Sequence, residues 1–202
     1  EKIPAAIVEA QSADVDIVSG ATFTSKGIIE AVKNALNPDE AKEATMPFEQ
    51  ADVLVIGAGM AGLATAARAA ELGLNVLVVD QAATYGGSAN VAGGTLLGAG
   101  TRMQKEAGIE DDPDLCFADF VRLGGAGTFN EEIAREFAEI SGEAVDWLDD
   151  LGTDFGDRVP YFGVYQPLNV ARNYSGKGGA RAFVVSLYAE LEKYFSTNAY
   201  MM

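Results

Sequence analysis

The chain has 202 residues, of which 49% are hydrophobic, and a formal net charge of −16 at pH 7. The apolar content predicts a packed core, and the strong negative charge argues against nucleic acid or an anionic membrane surface as a partner. The chain contains no histidine and a single cysteine, Cys116. These counts exclude a histidine-ligated haem, a Ser–His triad and a disulfide framework within these residues, and we predict no metal site. The most apolar stretch is glycine-rich and broken by Arg68, so membrane contact is not indicated.

Residues 1–36 form the first predicted unit, in which a short strand and a polar loop precede a helix over SKGIIEAVKNAL. Ser25 is suited to cap this helix, and apolar residues recur along one of its faces. One strand and one helix cannot bury that face alone. We therefore interpret residues 1–36 as the C-terminal part of a domain.

The polar loop carries the pattern D-x-x-S-G-A-T, formed by Asp16, Ser19, Gly20, Ala21 and Thr22. By composition alone this segment is a turn before a helix. The pattern and the helix after it resemble the end of the FMN-binding domain found in substrates of flavin transferases. The resemblance implies that FMN is linked to Thr22 through a phosphoester bond and that a flavin transferase is a partner. It also favours a periplasmic or cell-surface location.

Residues 37–50, NPDEAKEATMPFEQ, contain two prolines and five charged side chains. This composition predicts an interdomain linker. Residues 51–202 are then the second domain. Because the chain starts without Met and ends at YMM just after an amphipathic run, we expect it to be a fragment of a longer protein.

The second domain opens with a strand–turn–helix–strand pattern over residues 53–80, with Gly57, Gly59 and Gly62 at the turn. In this G-x-G-x-x-G spacing the first glycine allows a tight turn and the second lets the backbone approach a pyrophosphate. The third lets the helix pack closely on the sheet. Asp80 follows the second strand, 18 residues after Gly62, where an acid can accept hydrogen bonds from a ribose hydroxyl. The whole pattern predicts a dinucleotide site rather than an ordinary glycine-rich turn.

A glycine-rich segment, GGSANVAGGTLLGAG, follows at residues 86–100. Backbone N–H groups of such a segment can surround a phosphate, a ribityl chain or a flavin ring, whereas an enzyme that uses only nicotinamide has no need of it there. The acid followed by GG-S-A-x-x-x-GG resembles the fumarate reductase/succinate dehydrogenase flavoprotein family, in its soluble flavocytochrome-like, urocanate-reductase-like branch.

This resemblance implies an α/β fold, with a Rossmann-like FAD-binding domain that enters a helical substrate-cap region after the partial FMN-binding domain. The family usually has Glu at the position of Asp80 and often Asn or Thr at the position of Ser88, and both residues here keep the ability to form hydrogen bonds. Motif and resemblance together predict an FAD-binding set of Gly57, Gly59, Ala61, Gly62, Asp80, Gly87, Ser88, Ala89, Gly93 and Gly94.

Residues 102–155 have apolar residues at helical spacing over 115–123 and 131–152. We expect their Asp and Glu residues to form a solvated face rather than a catalytic pair. Their helical spacing places Trp147 and Leu148 in the core. The ending AVDWLDDLGTDF also resembles the W-L-x-x-x-G-x-x-F element of the same family.

A turn-rich segment then leads to GKGG and a predicted helix over residues 182–194. In fumarate reductases the matching segment carries a substrate-binding His before its glycine pair, whereas this chain has Arg172, Asn173 and Tyr174. Tyr174 is therefore either a substrate contact or a packing aromatic. The proton-donating Arg of the family would lie beyond Met202, so no catalytic residue is assigned and we expect these residues alone to be inactive.

The resemblance implies a flavin-dependent oxidoreductase that reduces an α,β-unsaturated carboxylate, with electrons passing from FMN to FAD. An electron donor protein or a quinol would supply those electrons. Two alternatives stay open. One is another FAD-dependent dehydrogenase or oxidase, such as one acting on a ketosteroid, and the other is a flavin protein that only carries electrons.

Overall fold

The structure is a computed structural model that describes residues 2–10, 12, 15, 29, 32, 46–125, 127–163 and 168–202. By its internal contacts the chain divides into two compact units, Glu1–Thr45 and Met46–Met202. Thr22 and most of the predicted linker lie outside the described residues. The domain boundaries at 36 and 50 therefore stay predictions.

In the first unit, helix α1 spans Lys2–Ala10. We expected the short strand of this unit to begin at Ile7, and this prediction is wrong. The sequence KIPAAIVEA is rich in alanine, and the pair Ile7–Val8 is too short to override its helical preference. Ile29 and Val32, which lie within the helix predicted for this unit, are helical.

A three-stranded parallel sheet lies at the centre of the second unit. Its strands stand in the order β1 (Val53–Ile56), β2 (Val76–Val79) and β5 (Ala199–Met201). Val53 pairs with Val76 across β1 and β2, and Val76 pairs in turn with Ala199 of β5. The first two strands confirm the prediction. The sequence analysis missed β5, since three residues are too few for a periodic pattern.

A second, antiparallel sheet consists of two strands that the sequence analysis also missed, β3 (Thr95–Leu97) and β4 (Asn173–Ser175). The helices of this unit are α2 (Met60–Glu71), α3 (Arg102–Glu106), α4 (Pro113–Gly124), α5 (Glu131–Asp150) and α6 (Arg181–Glu192), and a 3₁₀ turn spans Gly87–Asn90. Helices α2, α4, α5 and α6 confirm the predicted helices to within two residues at each end.

Helices α2 and α6 cover one face of the parallel sheet and form the main core with it. Small residues of α2 allow the close approach, and fully buried side chains fill the space between the layers. This core includes Leu63, Ala66, Ala67, Val76, Val78, Phe183, Leu187 and Leu191. Leu148 belongs to the same core and half-buried Trp147 packs against it, as expected from the sequence. No helix within the described ranges is both long and apolar enough to cross a bilayer.

A buried ion network joins β4 to the segment around α4. The guanidinium of Arg172 donates to Asp111 from Nε at 2.9 Å and from Nη2 at 2.6 Å, and to Asp119 from Nη1 at 2.6 Å. All three side chains are 0% exposed. The expected solvated face is therefore wrong for Asp111 and Asp119, because their partner lies more than 50 residues further along the chain and helical spacing does not reveal it.

Candidate cofactor site

The Gly57–Gly59 turn carries the chain from β1 into α2 at the carboxyl edge of the sheet. Gly57 has a φ of +101°, a left-handed conformation that favours glycine. Gly59 is the N-cap of α2, and among the residues that the structure describes no side chain caps this end. The N–H groups of the first turn are therefore available to an anion, with the positive end of the helix dipole behind them.

Gly59 and Gly62 are glycines for different reasons. A Cβ atom added at Gly59 would meet no heavy atom within 4 Å, so open space lies against its backbone. A Cβ atom at Gly62 would lie 1.9 Å from the carbonyl oxygen of Gly57 and 3.2 Å from Cγ1 of Val55. Gly62 thus permits the close packing of α2 on β1, while Gly59 leaves room for a ligand.

Asp80 lies at the carboxyl end of β2 and reaches back to this turn. Its Oδ2 accepts the backbone N–H of Ala58 at 2.6 Å, and its Oδ1 accepts that of Ala82 at 2.8 Å. These hydrogen bonds, first the one from Ala82, hold the pKa of Asp80 below its ordinary value. The carboxylate is therefore ionised at neutral pH and acts as a hydrogen-bond acceptor beside the turn.

A second glycine turn packs directly against the first. The N–H of Gly86 donates to the carbonyl of Ala58 at 2.7 Å, and Gly86 forms a β-bridge with Gly59. The 3₁₀ turn that begins at Gly87 follows at once and presents Ser88 on the surface, with Ala89 half-buried. The structure thus brings both glycine turns and Asp80 to one edge of the parallel sheet.

The third glycine pair, Gly93 and Gly94, lies against the start of α6. A Cβ atom at Gly94 would lie 2.0 Å from the backbone nitrogen of Ala180, whose N–H donates to the carbonyl of Ala92 at 3.1 Å. Gly94 is therefore required by packing. Gly93, in contrast, has open space where its Cβ would be, as Gly59 does.

Tyr174 is 2% exposed and lies in the main core. Its hydroxyl lies 2.5 Å from Oγ1 of Thr101, and its ring meets the edge of Phe155. Burial raises the pKa of Tyr174 to about 12. In this structure the side chain packs within the protein and its hydroxyl faces Thr101, as the packing alternative of the sequence analysis describes, and the substrate contact stays a prediction.

A cleft of about 770 Å³ opens elsewhere, between α2, the start of α3 and α5. Arg68, Arg102, Asp146 and Trp147 are among the residues that line it, and none of the predicted FAD-binding residues does. Arg102 is paired there with the acids of α5. This cleft therefore does not form part of the candidate site.

Sequence reasoning missed the side chains that hold the second glycine turn in place. Asn90 donates to the carbonyl of Tyr85 and accepts a hydrogen bond from Arg181, which lies 91 positions away. The ring of Tyr85 stacks on that of Tyr188. No sequence motif signals these contacts, because they join a loop to a helix that comes about 100 residues later.

Comparisons with known proteins agree with this geometry. The family described as an FAD binding domain matches residues 52–190, and the family described as an FMN-binding domain matches residues 1–37. The first match covers more than half of the chain, so the chain belongs to the FAD binding domain family. The cofactors that the two matches indicate are FAD and FMN.

Two relatives confirm the resemblance to the fumarate reductase flavoproteins. NADH:fumarate oxidoreductase from Klebsiella pneumoniae (strain 342) is 34% identical over 164 residues, which cover 78% of this chain and 18% of the relative. Urocanate reductase from Eggerthella lenta is 32% identical over 155 residues, which cover 70% of this chain and 25% of the relative. The chain thus spans a quarter or less of the length of these relatives.

Two solved structures have the same fold. A 3-ketosteroid-Δ4-(5α)-dehydrogenase from Rhodococcus jostii RHA1 gives a TM-score of 0.63 at 27% identity, over 81% of this chain and 39% of that one. The open conformation of a flavocytochrome c3 fumarate reductase gives a TM-score of 0.65 at 23% identity, over 94% of this chain and 30% of that one. The α/β fold with a Rossmann-like FAD-binding domain is therefore confirmed.

The residues present fit an FAD molecule. An uncapped helix start suits the pyrophosphate, open space lies beside it at Gly59, and the ionised carboxylate of Asp80 accepts the N–H of Ala58 in the same turn. These three features occupy the places that a dinucleotide requires of this fold.

Proposed function

We propose that the protein containing this chain is a flavin-dependent oxidoreductase that reduces an α,β-unsaturated carboxylate. Electrons would pass from FMN linked to Thr22 to FAD held by the two glycine turns and Asp80. The observation that supports the FAD part most directly is the uncapped start of α2, with open space at Gly59 beside Asp80.

In this proposal each part of the site has a physical task. The first N–H groups of α2 bind the pyrophosphate, and Asp80 accepts from a ribose hydroxyl. The backbone around Gly87, Ser88 and Ala89 lies alongside the cofactor, and Gly93 leaves room for it. The flavin, when bound, supplies the hydride chemistry, and the protein supplies orientation and electrostatics. We assign no proton donor to these 202 residues.

The substrate class rests on the relatives, whose names are those of reductases acting on fumarate and urocanate. Both compounds are unsaturated carboxylic acids. The chain has no histidine, so the His of the matching segment in fumarate reductases is absent, and that segment carries Arg172, Asn173 and Tyr174 instead. We therefore expect an unsaturated acid, without assigning fumarate itself.

A substrate panel tests this activity. The intact protein, loaded with flavin, is supplied with reduced viologen and with fumarate, urocanate or acrylate, and viologen oxidation is followed by absorbance. We expect turnover with at least one acid, and none when Gly59→Val has removed the FAD. If the bound flavins accept electrons from reduced viologen but no acid of the panel is reduced, the result contradicts the proposal and favours an electron carrier.

A ketosteroid dehydrogenase is the second candidate, favoured by the similarity to the Rhodococcus jostii enzyme at 27% identity and a TM-score of 0.63. The same preparation distinguishes the two. Reduction of an artificial electron acceptor by a 3-ketosteroid, with no viologen oxidation by any unsaturated acid, would favour the dehydrogenase.

We propose further that FMN is attached at Thr22 by a flavin transferase, in a periplasmic or cell-surface protein that receives electrons from a donor protein or a quinol. Because the expected bond is a phosphoester, the flavin should survive denaturation. We expect the tryptic peptide of residues 3–26, from intact protein co-expressed with a flavin transferase, to carry the mass of one FMN group. Thr22→Ala should remove that mass while FAD is retained.

Thr24→Ala is the matched control, because it removes a neighbouring hydroxyl and should leave the modification in place. An unmodified peptide from the co-expressed wild type would refute the assignment. So would a modified peptide from the Thr22→Ala variant.

A further inference from the structure

The second glycine turn is attached to helix α6 by four side chains, which we call the α6 clasp: Tyr85, Asn90, Arg181 and Tyr188. Asn90 donates from Nδ2 to the carbonyl of Tyr85 at 2.7 Å, and its Oδ1 accepts from Nη1 of Arg181 at 3.1 Å. The rings of Tyr85 and Tyr188 stack with centroids 3.8 Å apart and planes 4° from parallel. The clasp therefore connects both ends of the turn to one rigid helix.

Asn90 also lies directly against the backbone of the turn that it spans. A Cβ atom added at Gly86 would lie 2.5 Å from Nδ2 and 2.7 Å from Oδ1 of Asn90. Gly86 has a φ of +100° and its N–H donates to Ala58 in the first turn. The carboxamide of Asn90 thus packs on the glycine that joins the two cofactor-binding turns.

The position of Arg181 is not explained by the stability of its helix. Arg181 is the first residue of α6, where the positive end of the helix dipole disfavours a cation. Among the contacts described for Arg181, its guanidinium donates to Asn90 and to no carboxylate. The contact with the turn offers a reason for a cation at this place.

We infer that Asn90 is a positioning residue for FAD, and that Arg181 acts through it by fixing the orientation of its carboxamide. This inference rests on the proposed FAD site. The clasp holds residues 85–90 in one conformation before FAD binds. The turn then loses less conformational entropy on binding, and FAD binds more tightly.

The test is FAD affinity and dissociation rate in the intact protein, followed by flavin fluorescence. Asn90→Ala removes two hydrogen bonds from the turn, and we expect FAD binding about tenfold weaker, from about 1.4 kcal/mol of lost interaction. Asn90→Asp keeps an acceptor for Arg181 but places a carboxylate against the carbonyl of Tyr85, so we expect at least the same loss. Both hydrogen bonds belong to the flavin-free fold, so the unfolding midpoint of flavin-free Asn90→Ala should fall no further than that of the control variant below.

Asn198→Ala is the matched control. The Nδ2 of Asn198 also donates to backbone carbonyls, those of Ala70 at 3.0 Å and Leu74 at 2.9 Å. Ala70 lies near the far end of α2, about 15 Å from Met60 by the helical rise, and Leu74 follows the end of the helix. We expect this variant to lower the unfolding midpoint without changing FAD affinity.

A double-mutant cycle separates positioning from a general loss of packing. If Arg181 acts through Asn90, Arg181→Met weakens FAD binding in the wild type but adds nothing to Asn90→Ala. Wild-type FAD affinity in Asn90→Ala would overturn the inference. So would additive losses in the cycle, or a loss in Asn198→Ala equal to that in Asn90→Ala.

The Gly59→Val variant tests the proposed FAD site independently of the clasp. If Gly59→Val loses FAD while Asn90→Ala keeps it, the FAD site stands and the clasp inference fails. If Gly59→Val keeps FAD, the proposed site itself fails.

Discussion

Replacing Gly59 with valine is expected to abolish FAD retention while leaving the α/β unit folded. The backbone of Gly59 is extended, with φ of −73° and ψ of −178°, and a Cβ there meets no protein atom within 4 Å. The valine side chain therefore costs the fold little, and it occupies the space where the pyrophosphate approaches the start of α2. The measurement is FAD content of the purified intact protein, with circular dichroism as the test of folding.

Gly62→Ala is the contrasting variant, because it places a methyl group 1.9 Å from the carbonyl oxygen of Gly57. Helix α2 must then move away from β1, and we expect a loss of about 1–3 kcal/mol in the free energy of unfolding. Full FAD content in Gly59→Val would refute the proposed site. Equal destabilisation by both variants would show that Gly59 also serves the fold.

The local parts of the fold could be predicted from the sequence because their signals are local. Strands β1 and β2 are β-branched runs on either side of a helix that starts at a glycine motif, so adjacent residues contain all the information. Strand β5 depends on pairing with β2, and strands β3 and β4 pair across 76 to 80 residues. Such short strands are defined by their partners rather than by their own pattern.

Some residues of the candidate site could likewise be predicted from local sequence, whereas others depend on contacts between distant segments. Gly57, Gly59 and Asp80 were predictable because a pyrophosphate and a ribose impose a fixed spacing on one βαβ unit. Asn90 and Arg181 were not, because their contact depends on how α6 packs on the sheet. The packing role of Gly94 was likewise hidden, since the atoms that exclude a side chain there belong to Gly179 and Ala180.

The buried ion network leads to the second large effect. Arg172→Met is expected to lower the free energy of unfolding by about 3–5 kcal/mol, because it leaves Asp111 buried without its cation and leaves Asp119 with Arg122 alone. Methionine fills a similar volume, so the loss reports on charge more than on a cavity. The measurement is urea unfolding of the flavin-free protein, followed by the fluorescence of Trp147.

Arg102→Met is the matched control, because Arg102 also pairs with aspartates but is 43% exposed. Water replaces its ion pairs at little cost, so we expect a much smaller loss. Equal losses in the two variants would contradict a special role for the buried network. Asp111→Asn and Asp119→Asn, added together to Arg172→Met, should recover part of its stability because they remove the two buried charges that Arg172 neutralises in the wild type.

The dependence of the free energy of unfolding on pH, measured in the acidic range, gives an independent test of the same network. Burial works against the charged form of Asp119, but hydrogen bonds from Arg122, Asn169 and Arg172 outweigh it and hold its pKa below the ordinary value of 3.8. Since the folded pKa is the lower one, the stabilisation is fully present above the unfolded pKa and is lost as pH falls through the folded pKa. We therefore expect wild-type stability to fall as the pH drops below about 4. Arg172→Met should reduce this pH dependence, and a variant with an unchanged acid slope would show that Arg172 does not set the ionisation of Asp119.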